Sequence, residues 1–154
     1  MKRAGGGFDF DTDILRYSYT SLITPSSVYD YDMNTQKATL LKQQEVVGGY
    51  TIGNYKSERI YAKAKDGTAI PISIVYNSKV TKPGANTPLL LYGYGSYGAS
   101  MDPYFSSVRL SLLDRGFVFA IAHIRGGQEM GRQWYEDGKL MKKMNTFTDF
   151  IACA

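Results

Sequence analysis

Leu89-Leu90-Leu91-Tyr92-Gly93-Tyr94-Gly95-Ser96-Tyr97-Gly98 decides the fold: an apolar run passes straight into a corner built on glycines. Strands that end in such corners are where an α/β sheet presents its working groups, because ligands bind outside the carboxyl ends of the strands. A second apolar run, Phe117 to Ile124, leads into Arg125-Gly126-Gly127, and a nearly continuous apolar strand reads as a buried parallel one. Between the two runs, Val108, Leu110, Leu112 and Leu113 predict a helix. It would start near Pro103 with Asp102 as its cap and stop at Asp114-Arg115-Gly116.

Working outward, Glu58 to Ala64 and Ala69 to Tyr76 form a predicted hairpin across Lys65-Asp66-Gly67, with Pro71 pointing to an edge position. Residues 81–88 make a proline-punctuated loop. On the other side, a helix is predicted from Gln128 to Asp137, closed by Gly138, and another from Asn145 or Thr146. In that last helix Thr146 and Asp149 have capping-box spacing, and Phe147, Phe150, Ile151 and Ala154 share one apolar stripe. It has no glycine cap, and the parallel sheet has only two candidate core strands, so the chain reads as a truncated polypeptide.

The character changes near residue 45. Before it, Arg16 to Ser21, Val28 to Met33 and Lys37 to Leu41 alternate as short antiparallel strands joined by turns at Thr24-Pro25-Ser26-Ser27 and Asn34-Thr35. Three such strands cannot bury a face alone, so they read as one unit of a sandwich edge or one blade of a propeller.

A chain of 154 residues with 44% apolar and 14% aromatic side chains is long and apolar enough for a core, which excludes general disorder. The net charge of +4 arises from 18 basic and 14 acidic residues scattered along the sequence, an ordinary solvated surface rather than a nucleic-acid or membrane footprint. One cysteine, Cys153, excludes an internal disulfide and fits a reducing compartment. Behind Met1-Lys2-Arg3-Ala4-Gly5-Gly6-Gly7 there is no apolar signal core, and no apolar run approaches the ~18 residues of a membrane span. A cytoplasmic protein is the expectation.

Several stretches together carry a family resemblance: Tyr17-Ser18-Tyr19-Thr20-Ser21-Leu22, Leu91 to Gly98, Ser111-Leu112-Leu113-Asp114-Arg115-Gly116, Arg125-Gly126-Gly127 and Trp134-Tyr135-Glu136-Asp137-Gly138-Lys139. In order and spacing they resemble the oligopeptidase B group of the prolyl oligopeptidase family, from about Phe10 to the last residue, leaving out the glycine-rich start. The resemblance implies a β-propeller stacked on an α/β-hydrolase domain. Residues 1–45 would be the end of the propeller, its last blade, and 46–154 the N-terminal part of the hydrolase domain, ending before the nucleophile elbow. It further implies a serine peptidase acting on short peptides after Arg or Lys, with the Ser-Asp-His triad downstream, and with the rest of its own hydrolase and propeller domains as structural partners.

The elbow Gly-x-Ser-x-Gly is absent, and Ser96 stands in the wrong register for it. What the resemblance assigns to this stretch is the oxyanion hole, with Tyr94 offering its phenol; the alternative is a ring that only packs. It assigns Asp102 to a basic substrate side chain, with Tyr104 where a second acid stands in bacterial relatives; the alternative is a plain helix cap. Arg125 is a candidate for lining the substrate site or for an inter-domain salt bridge, the structural role being favoured. His123 reads as a satisfied core histidine rather than a partner of Ser96 or Cys153, and Cys153 as a small packing residue. No residues have metal-ligand spacing, and no cofactor is expected.

Two other classes compete. Gly93-x-Gly95-x-x-Gly98 after a strand matches the dinucleotide fingerprint, although Met101-Asp102-Pro103 delays the helix that should hold pyrophosphate. A non-catalytic propeller and hydrolase-like binding module gains from the missing triad. By itself the chain is expected to be inactive and, with open sheet edges, prone to aggregate.

Overall fold

A computed structural model describes residues 2–4 and 11–154. The glycine-rich stretch at 5–7 and the start of the family resemblance at Phe10 lie outside the described residues. Two four-stranded sheets result.

The first is an antiparallel meander of β1 (Lys2–Ala4), β2 (Ile14–Tyr19), β3 (Ser27–Asp32) and β4 (Lys37–Gln43), in that spatial order. Strand β1 adds to the three strands legible in sequence; its three residues show no alternation to read. Cross-strand pairs set the register. Tyr17 faces Tyr29 with rings stacked 5.4 Å apart, and Arg16 faces Asp30 with Nε donating to Oδ1 at 2.7 Å. The β3–β4 turn is held by Asp32 Oδ1, which accepts the N–H groups of Asn34 and Thr35 at 2.9 Å each. Strand β4 is exposed along its whole length.

The second sheet holds β5 (Tyr55–Lys63), β6 (Ala69–Asn77), β7 (Leu89–Tyr92) and β8 (Val118–Ala122), ordered β5-β6-β8-β7. Strands β7 and β8 are parallel, and the other two pairings are antiparallel. Because β8 lies between β6 and β7 it is buried at every residue, as its apolar run predicts. Pro71 corrects the edge expectation: β6 is an inner strand. The proline is tolerated because the β6–β8 ladder ends there. Its carbonyl still accepts from His123 N–H at 2.9 Å, and the His123 carbonyl, lacking a proline donor, accepts the Trp134 indole N–H at 2.9 Å instead.

Side chains alternate across this sheet. Val75, Phe119 and Ile121 join Leu110 and Leu113 of α1 (Ser107–Leu113) on one face, with Leu22, Tyr55 and Phe105. Ile70, Ala122 and Ile124 meet Trp134 and Phe150 on the other, beneath α3 (Met144–Cys153). The two sheets are tied at Tyr50, whose hydroxyl donates to Ile23 O at 2.5 Å, and at Phe105, whose N–H donates to Thr20 Oγ1 at 3.2 Å.

Three helix expectations are corrected. α1 opens at Ser107 with Ser106 at its N-cap position, so Asp102 is not its cap and 102–106 is irregular. α2 is only Arg132–Glu136, because Gly131, at φ +93°, keeps the preceding residues out of the helix. α3 starts at Met144, so Thr146 and Asp149 are not a capping box. Its buried face is Thr146 and Asp149, while Phe147 and Ile151 of the predicted stripe are 55% and 72% exposed. The polar residues turn inward because a buried arginine requires them.

Candidate functional site

Loop 93–98 leaves β7 in a conformation that few residues adopt: Gly95, Tyr97 and Gly98 have φ of +64°, +56° and +66°. Gly95 is obligatory twice over, since a Cβ there would come within 2.6 Å of both Ile124 and Thr146. Gly126 lets the next corner close on it, because a Cβ at 126 would overlap the Gly95 carbonyl. The Gly98 N–H donates to Gly126 O at 2.9 Å. The Lys143 ammonium donates to Gly95 O at 2.5 Å and Ser96 Oγ at 2.8 Å, and Thr146 Oγ1 donates to Arg125 O at 2.6 Å.

Tyr94 stands on this loop, 45% exposed, with no hydrogen-bond partner for its phenol among the described residues. A free hydroxyl on a fixed backbone at the carboxyl end of a strand is what a donor to a developing oxyanion requires. Asp102 lines a cavity of about 570 Å³ between the two sheets, with Tyr19 and Thr20 on one side and Tyr92, Tyr104 and Arg109 on the other. Its carboxylate takes part in no ion pair among the described residues. Arg109 was not legible as a wall of this cavity. Its guanidinium lies 4.1 Å from the Phe119 ring centroid and donates to Tyr104 O at 2.9 Å.

Arg125 is buried and held by two carboxylates. Nε and Nη2 donate to Asp149 at 2.8 and 2.6 Å, and Nη1 donates to Asp66 at 2.7 Å. Asp149, chiefly, holds the guanidinium above its ordinary value. The Asp66 carboxyl is pushed down to about 2, first by the Thr68 N–H and then by Arg125. This cluster joins the β5–β6 turn, the 125–127 corner and α3, all packed with the second sheet, and so is a bracket within that unit rather than a bridge between the two sheets.

His123 is 2% exposed, with Nε2 2.8 Å from Ser73 Oγ and Nδ1 3.8 Å from Glu129 Oε1. It reaches neither Ser96 nor Cys153 by a hydrogen bond and is buried as the core reading expects, but it is satisfied only at Nε2, since Nδ1 has no hydrogen-bond partner among the described residues. Burial pushes the Cys153 thiol up to about 11, which keeps it in the thiol form near neutral pH. Among the described residues no cluster of His, Cys, Asp or Glu has metal-binding geometry, and no helix is long and apolar enough to cross a membrane. The dinucleotide reading loses its basis, since α1 opens well past Gly98 and its N-terminus does not meet the glycines. Lys143 and Thr146 were missed at the sequence level; Lys142-Lys143 looks like a surface pair, and only the tertiary contact shows otherwise.

Comparison with known proteins agrees with this architecture. Residues 103–154 match the family model of the prolyl oligopeptidase family, and 6–44 match its N-terminal β-propeller domain. The chain is 58% identical over 141 residues to dipeptidyl aminopeptidase BI of Pseudoxanthomonas mexicana, covering 91% of this chain and 19% of that protein. It is 43% identical to protease 2 of Moraxella lacunata, covering 94% and 21%. Oligopeptidase B from Leishmania major superposes with a TM-score of 0.83 at 49% identity, over 94% of this chain and 20% of that structure. The chain thus spans about a fifth of the length of the relatives it matches. The chain holds the last part of a β-propeller followed by the N-terminal part of an α/β-hydrolase fold, and it belongs to the prolyl oligopeptidase family.

Proposed function

We propose that this chain is the segment of a longer serine oligopeptidase that joins the propeller to the hydrolase domain, with the boundary near residue 45. The enzyme cleaves short peptides after Arg or Lys; Tyr94 donates to the oxyanion and Asp102 receives a basic side chain of the substrate. Arg125, a candidate for lining the substrate site or for an inter-domain salt bridge, acts by fixing the corner behind the loop. The observation that carries the reading is the Tyr94 phenol, unpartnered among the described residues, on a braced loop at the carboxyl end of β7, while Asp102, in no ion pair among those residues, lines a cavity that Tyr92 of the same strand also lines. In the full-length protein, arginyl-peptide amides are hydrolysed in preference to neutral ones. Asp102→Asn raises KM for the basic substrate roughly tenfold, on the scale of ~1.5 kcal/mol for a lost charge-assisted contact. Equal turnover of both substrates by the unsubstituted enzyme would sink the basic specificity.

A second reading, removal of dipeptides from a free N-terminus, is favoured by the 58% identical dipeptidyl aminopeptidase and by Tyr104, which leaves one carboxylate for one cation. Acetylating the N-terminus of a dipeptidyl amide separates the two. Loss of hydrolysis supports the aminopeptidase, and unchanged hydrolysis supports the endopeptidase.

A further inference from the structure

The loop that carries Tyr94 has a turn hydrogen bond of its own, from Ala99 N–H to Ser96 O at 3.0 Å, and otherwise relies on contacts from outside it. Tyr97 is a non-glycine residue at φ +56°, a conformation that costs on the order of 1 kcal/mol and persists only where surrounding contacts impose it. The Tyr94 side chain gives no help, being half-exposed and unpartnered among the described residues. Its position therefore depends on what grips the backbone on either side.

Strand β7 fixes the approach, and the Gly98 to Gly126 hydrogen bond fixes the exit. Between them, one side chain donates to the loop at two successive residues: Lys143 Nζ meets the carbonyl of Gly95, immediately after Tyr94, and the hydroxyl of Ser96. The ammonium is half-buried, and burial lowers its proton affinity. A partly desolvated cation is retained where its hydrogen bonds hold structure together, and here both lead to one loop. Thr146 Oγ1 lies 3.4 Å from the Gly95 carbonyl but has a shorter acceptor in Arg125 O, so Lys143 is the principal clasp.

We propose that Lys143 is a positioning residue for the oxyanion donor: through Gly95 O and Ser96 Oγ it sets where the Tyr94 phenol stands when the tetrahedral intermediate forms. This rests on the assignment of Tyr94 in the proposed function. It gives Ser96 a role as acceptor in the clasp, without nucleophilic chemistry. Lys143 touches no reacting atom, and its effect is exerted only through Tyr94.

The test is a double-mutant cycle in the full-length enzyme on an arginyl-peptide amide, with melting temperatures taken alongside. Lys143→Met is expected to lower kcat by roughly tenfold to a hundredfold, the scale of a misplaced catalytic group, with KM within about twofold. In a Tyr94→Phe background the same substitution is expected to cost less than about threefold, because the group it positions is gone. Lys143→Arg, which keeps a cationic donor, restores most of kcat and serves as the informative variant should Lys143→Met fail to fold. Equal losses from Lys143→Met in both backgrounds, or a Lys143→Arg enzyme no better than Lys143→Met, overturns the inference while leaving Tyr94 in place. Wild-type kcat in Tyr94→Phe alone overturns the assignment of Tyr94, and the inference with it.

Discussion

The outer strand β4 of the first sheet and the inner strand β8 of the second bury their residues in opposite ways. Strand β4 exposes all seven of its residues, and Leu40 and Leu41 are each 49% open, whereas β8 buries all five of its residues between two neighbouring strands and under two helices. The second sheet buries its inner strands in a core that Leu22 helps to close, and brackets it with ions, while its outer strands β5 and β7 are mostly exposed; the first sheet supplies register through tyrosine and arginine pairs. Local patterning is enough to form a strand, but only a second layer makes a strand insensitive to water. The candidate site's cavity lies between the two sheets, walled by Ser18 and Tyr19 of β2 with Thr20 on one side and by Tyr92, Phe119 and Ile121 of the second sheet on the other.

That contrast can be broken by substitution. The largest effect is expected at Asp149, fully buried against Arg125: Asp149→Ala leaves a buried guanidinium short of its main partner and costs about 3–5 kcal/mol in urea unfolding of the full-length protein. Leu113, 1% exposed beneath the second sheet, follows; Leu113→Ala costs about 2–4 kcal/mol by the same measurement. Leu40→Ala on β4 is expected to stay within about 0.5 kcal/mol in the 154-residue chain, where Leu40 is 49% open. A Leu40 cost as large as that of Leu113 in the full-length protein would mean that another part of it covers β4.

A pH titration sharpens the comparison. The folded Asp66 carboxyl, at about 2, lies below its ordinary 3.8, so its contribution is complete above about pH 4 and fades as pH falls through about 2. The bracket of the second sheet therefore weakens in that acid window, and Asp66→Asn flattens the stability profile there. An identical acid slope in the variant would mean that other carboxylates carry it.

Much of this was legible in sequence because it is written in local pattern. The apolar run of β8, the β5–β6 hairpin and the stop after α1 follow from periodicity and turn chemistry, whereas the roles proposed for Tyr94 and Asp102 come from the family resemblance. What escaped was decided by tertiary partners. Pro71 sits on an inner strand because the Trp134 indole supplies the donor it lacks. Thr146 and Asp149 face inward because Arg125 needs an acid and the 125 carbonyl needs a donor, a demand placed from far along the chain. α1 starts late because 102–106 is drawn across the cavity, with Phe105 pinned in the core beside Thr20. Lys143 carries no local mark at all.

The central claim is that the Tyr94 phenol stabilises the oxyanion, and steady-state kinetics of Tyr94→Phe in the full-length enzyme on an arginyl-peptide amide test it most directly. The account predicts a kcat lower by about a hundredfold, the scale of one lost oxyanion donor, with KM within about twofold. An unchanged kcat, or a loss confined to KM, would contradict it.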